Sequence, residues 1–156
     1  MTYPDPLVQS ALTDLVAGVR LDLGERHEDF TEAAAMTKVR FSPRFRFFSA
    51  DGKRLLREWS GWLLPTELVA EMRIARGEDA LHRAAFEDAV KEFDAALEIS
   101  PEGPAVAEAL YQRGMSAFIA GKFDWEPLRR DWQAVVEGFP GTRWARHAEV
   151  IADAPA

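Results

Sequence analysis

The hydrophobic period of this chain turns from alternating to helical near Gly61, and that change points to a fold in which a small sheet and a helical array share a core. In RFRFF, residues 44 to 48, the pattern alternates: Phe45 and Phe47 fall on one face of a strand, Arg44 and Arg46 on the other. Ala50-Asp51-Gly52 supplies turn chemistry and Arg54 to Trp59 reads as the returning strand, which predicts a β-hairpin. After Gly61 the period becomes helical. Pro65 sets up a helix carrying Leu68, Val69, Met72 and Ile74, and from about residue 70 onward helices are predicted near 70 to 83, 86 to 99, 104 to 120, 125 to 138 and 142 to 151.

Ahead of the hairpin, Asp5 and Pro6 form a helix entry, with the carboxylate as N-cap and the proline at the first helical position. Leu7, Val8, Ala11, Leu12 and Leu15 then recur at helical spacing and Gly18 ends the helix. Val19-Arg20-Leu21-Asp22-Leu23 alternates like a half-buried strand, and a second helix is predicted over Glu28 to Lys38.

Composition excludes several functions. With 156 residues and 47% hydrophobic content the chain can bury one compact core, or two small ones that touch. The absence of cysteine removes disulfides, thiol redox chemistry, cysteine nucleophiles and thiolate metal sites from this chain. No apolar run approaches the roughly 20 residues of a bilayer span. The start, MTYPDPLVQS, lacks the order of a signal peptide, so no membrane and a cytoplasmic location are expected. The net charge of -7 argues against a general polyanion binder. It is unevenly spread: Lys38, Arg40, Arg44, Arg46, Lys53, Arg54 and Arg57 face only Asp51 between residues 38 and 57, a net +6 that leaves -13 elsewhere. This basic hairpin, represented by Arg44, Arg46, Arg54 and Arg57, is expected to have an apolar core face and a solvated basic face, with an acidic protein partner or the acidic helical half of its own chain as the alternative cover. Its aromatics and arginines also admit weak binding of single-stranded nucleic acid through residues 40 to 57. Alternation assigns Phe45 and Phe47 to a core instead.

The helical half carries a repeat. If Pro101 closes a unit of about 34 residues, then Phe86, Ala89, Phe93 and Ala96 occupy the signature positions of a second helix and Gly77 the small position of the first. The next copy has Leu110, Gly114, Gly121 and Phe123, then Leu128, Trp132, Val135 and Pro140. This segment resembles two tetratricopeptide repeats (TPR) followed by a terminal helix with Trp144. The resemblance implies a groove lined by first helices that takes a protein or peptide segment, with Arg73, Arg76, Tyr111, Gln112 and Met115 as groove positions. Residues 3 to 77 resemble the C-terminal part of a thioredoxin fold: a helix, VRLDL, a second helix, Ser42-Pro43 before RFRFF, the hairpin, and a Pro-initiated helix. In that family the X-Pro bond is cis, which makes Ser42 and Pro43 a cis-proline-like loop. The family's first strands and its Cys-x-x-Cys motif have no counterpart here.

The expected fold is therefore α+β: a reduced thioredoxin-like α/β half of about three strands, spanning 1 to 77, continuous with a TPR-like bundle spanning 70 to 156 and sharing helix 70 to 83. The expected role is a non-catalytic protein–protein interaction or assembly module, with homodimerisation through the sheet edge as the cover for unpaired strand groups. A second expectation is a part of a thioredoxin-like thiol-disulfide oxidoreductase whose cysteines lie outside this chain. No catalytic residue, cofactor or metal is assigned. His27, His82 and His147 lie too far apart for ligand spacing, and no nucleophile elbow or phosphate loop occurs.

Overall fold

The structure, a computed structural model, describes residues 2 to 20 and 43 to 153. Among these residues the fold is α+β, with six α-helices and one two-stranded antiparallel sheet. Helix α1 (Pro6–Asp14) opens as the sequence predicts: the Asp5 carboxylate accepts from the Leu7 N–H at 2.9 Å. It ends earlier than Gly18, because the chain leaves the helix at Leu15, whose carbonyl accepts from the Arg76 guanidinium instead. Val19 and Arg20 carry no regular structure. The remainder of the expected VRLDL strand, the helix over 28 to 38 and Ser42 lie outside the described residues.

Strands β1 (Arg44–Phe48) and β2 (Leu55–Ser60) form the predicted hairpin, with Phe45 opposite Trp59, Arg46 opposite Glu58 and Phe47 opposite Arg57. The register then shifts so that Phe48 faces Leu55, and Leu56 has no partner in the ladder. At the turn Gly52 has φ of 72°, the left-handed region that an L side chain would strain. Phe45 and Phe47 stack on Trp59 with centroids 4.9 and 5.3 Å apart. These rings pack with Val8 and Ala11 of α1 and with Leu68, Val69 and Met72 of the following helix, so one sheet face and two helices share an apolar layer.

Helices α2 (Pro65–His82), α3 (Phe86–Ile99), α4 (Val106–Ala120), α5 (Trp125–Gly138) and α6 (Arg143–Ala148) follow, each packed on the next. The Pro65-initiated helix and the one predicted over 70 to 83 are a single element. Helix α6 is shorter than predicted, and a 3-10 segment over Glu149–Asp153 continues from it.

The two helix pairs, α2–α3 and α4–α5, bury matching positions. Ala89, Phe93 and Ala96 of α3 are buried, as are Leu128, Trp132 and Val135 of α5. Each large ring lies against a glycine of the first helix in its pair. A methyl group built on Gly77 would stand 2.7 Å from Phe93 ring carbons, and one on Gly114 would stand 3.2 Å from Trp132 Cδ1 and 3.1 Å from Asp131 Cβ. The close helix approach therefore depends on the missing side chain at the same place in both pairs. Most of the C-terminal aromatics fill the space between α4, α5 and α6, with Tyr111, Phe118, Phe139 and Trp144 packed against the buried cluster that includes Leu128, Trp132 and Val135. Trp125 stays 37% exposed. Among the described residues no helix is long and apolar enough to cross a membrane.

Candidate functional site

Residues 55 to 60 alternate, so Arg57 lies on the same face of β2 as Trp59 and points toward the helices. Glu71 and Glu78 lie two turns apart on one stripe of α2, and Glu108 lies in the first turn of α4. All three carboxylates converge on Arg57. Its Nε donates to Glu71 Oε2 at 2.7 Å, its Nη1 to Glu78 Oε1 and Glu108 Oε1 at 3.0 Å each, and its Nη2 to Glu108 Oε2 at 3.0 Å. The four side chains are between 11% and 17% exposed, so these are largely desolvated contacts. Glu71 stands six residues before Gly77 and Glu108 six before Gly114, so the two carboxylates hold the same place relative to the glycine of each first helix. The guanidinium is therefore held by the same carboxylate of both helix pairs.

One cation shared among three acids pulls the two sides in opposite directions. Burial alone would lower the Arg57 pKa, but the hydrogen bond to Glu108 and the charges of Glu71, Glu108 and Glu78 more than offset it, leaving the guanidinium above its ordinary value. Burial raises Glu71 against the opposing pull of Arg57. Burial also pushes Glu78 up to about 7, with Arg57 opposing and Glu108 and Glu71 adding to the rise. Arg143 of α6 approaches Glu108 at 3.9 Å while lying over the Trp144 ring. Beside this cluster, a hollow lined by Glu71, Ile74, Ala96, Ser100 and Ala109 has about the room of one water molecule. Among the described residues no group of three or more His, Asp or Glu is arranged to hold a metal ion.

The residues singled out from the sequence distribute over several surfaces. Of the basic hairpin set, Arg44 donates to Glu58 at 2.7 Å and Arg46 lies 3.5 Å from the same carboxylate, on the face away from the helices. That contact, chiefly the hydrogen bond from Arg44, lowers the Glu58 pKa. Arg54 is exposed beside the turn, where its backbone N–H donates to Ser49 Oγ. Arg57 is separated from all three. Pro43 precedes β1, and its carbonyl accepts from the Gly61 N–H at 2.9 Å across the hairpin base.

The five groove positions fall on two helices, Arg73 and Arg76 on α2 and Tyr111, Gln112 and Met115 on α4. Arg73 and Arg76 both bond Glu92 of α3, at 2.9 and 2.7 Å. Tyr111 stacks on Trp132 with centroids 4.6 Å apart and also meets Trp144. The Gln112 carbonyl accepts from Ser116, and Met115 packs in the α4–α5–α6 core. Arg76 and Arg113, each the residue before its helix's close-approach glycine, do parallel work. Arg113 grips buried Asp131 of α5 through two 2.7 Å bonds and reaches Asp94 of α3, as Arg76 grips Glu92 and reaches the end of α1.

Sequence reasoning missed Glu71, Glu78 and Glu108. Three signals point to them: Arg57 shares the parity of Trp59, the two α2 carboxylates are spaced by two helical turns, and Glu71 and Glu108 each precede a close-approach glycine by six residues. Comparison with family models, with characterised proteins and with solved structures gave no match, so the functional argument rests on this geometry.

Proposed function

We propose that the chain is a non-catalytic protein-interaction or assembly module of TPR-like build, whose first-helix face grips an extended protein segment through an arginine. The observation that carries this reading is the convergence of Glu71 and Glu108, one from each helix pair, on a single strand-borne guanidinium. The chain's own hairpin holds that face. A partner segment therefore replaces Arg57 with its own basic side chain, and its affinity is modest because it must displace the hairpin. The matched Gly77–Phe93 and Gly114–Trp132 contacts support the repeat, and the hairpin followed by the Pro65 helix supports the thioredoxin-like likeness of residues 3 to 77.

The state of the hairpin favours a protein partner over nucleic acid. Phe45, Phe47 and Trp59 are engaged in the apolar layer, Arg57 is enclosed by carboxylates, and Arg44 and Arg46 share Glu58.

Fluorescence anisotropy tests the reading with a labelled peptide spanning Leu55–Ser60 and the same peptide with alanine at the arginine. The receptors are the wild-type chain and an Arg57→Ala chain shown by circular dichroism to keep its helices. The arginine peptide is expected to bind the Arg57→Ala chain more tightly than wild type, and to lose binding when Glu71 and Glu108 are both changed to Gln. Equal behaviour of the two peptides overturns the proposal.

A further inference from the structure

We propose that protonation of Glu78 latches the hairpin onto the first-helix face, so that a rise in pH from mildly acidic to mildly alkaline releases it. The inference rests on the reading of that face as the binding face and names its regulation. With every group ionised, the cluster encloses one positive and three negative charges in a largely dry space.

The three acids are not equally served. Glu108 has both oxygens on Arg57 and Arg143 at 3.9 Å, and Glu71 takes the 2.7 Å bond from Nε. Among the described residues Glu78 receives one bond, from an Nη1 that it shares with Glu108, and its Oε2 is buried with no hydrogen-bond partner. An ionised carboxylate leaves that buried oxygen uncompensated, whereas a protonated one removes the charge. Among the described residues the charged groups facing Glu78 are thus Arg57 from β2, Glu71 from its own helix and Glu108 from α4, with Arg143 of α6 behind Glu108. From α3, Glu92 is already bonded by Arg73 and Arg76.

The sign follows from linkage. When the hairpin departs, water reaches Glu78 and its pKa falls from about 7 toward the ordinary 4.5. The docked state then binds the extra proton. Docking is fully supported below the lower value and weakens as pH rises through the upper one, by roughly 25-fold between pH 5.5 and pH 8. Glu71 shifts in the same direction and adds to the effect.

Hydrogen exchange of the β2 amides, with intrinsic rates divided out and α4 amides as the internal reference, measures this in the full chain. A hairpin freed from its packing has little stability of its own, so release exposes these amides. Protection in β2 is expected to fall about 25-fold relative to α4 over that pH range, and Glu78→Gln should remove most of the slope. A carbon-13 titration of the Glu78 carboxyl in the unmodified chain should show a midpoint near 7. Parallel changes in β2 and α4, a wild-type slope in Glu78→Gln, or an ordinary carboxylate midpoint would overturn the latch. Peptide binding without a pH slope removes the latch and leaves the binding face. A slope without peptide binding leaves the latch and removes the binding reading.

Discussion

Gly77 shows how one residue sets a helix–helix distance. Its helix tolerates the conformational cost of glycine because Phe93 fills the space a Cβ would take. Alanine there gains up to about 1 kcal/mol of helix propensity, but overpacks a fully buried ring by about 1 to 3 kcal/mol. We expect Gly77→Ala to destabilise the chain by about 1 to 2 kcal/mol in urea unfolding. Gly114→Ala, whose nearest neighbours stand 3.1 and 3.2 Å away, should change stability by less than about 1 kcal/mol. Both glycines stand apart in the sequence as small residues of the helical half, and the structure places both at close helix approaches. The three carboxylates around Arg57 do not stand apart, because an acidic residue on an amphipathic helix looks the same whether it meets water or a guanidinium from far along the chain.

At the scale of elements, helix limits were easy to read where local chemistry punctuates them. Helices α3 and α5 span the residues their periodicity predicts, and Asp124 and Thr142 cap the starts of α5 and α6 with their side chains. The stripe of α2 that meets the hairpin was harder to read. Arg73 and Arg76 lie on α2, but on the side that meets Glu92 of α3, while Glu71 and Glu78 lie on the side that meets the hairpin. Only the packing direction of the neighbouring element distinguishes the stripes. Between elements, the Arg113–Asp131 pair joins α4 to α5 with an aspartate only 1% exposed. Asp131→Asn leaves Arg113 with its exposed Asp94 contact and should cost about 3 kcal/mol, read as a shift in the urea midpoint with the slope unchanged.

At the scale of the molecule, the segregation of charge in the sequence has a structural counterpart. A hairpin from the +6 segment places one arginine among acids of the helical half, and an apolar layer of hairpin rings, α1 and α2 adjoins that contact. The sequence favoured a solvated basic face, with an internal match only as an alternative; it could not select Arg57 over its neighbours, since the selection depends on which hairpin face meets α2. The central claim is that Arg57 couples the sheet to both helix pairs. A double-mutant cycle between Arg57→Ala and Glu108→Ala, measured by urea unfolding at fixed pH, tests it most directly. The coupling should exceed about 1.5 kcal/mol, whereas single-mutant effects that add to within about 0.5 kcal/mol would contradict it.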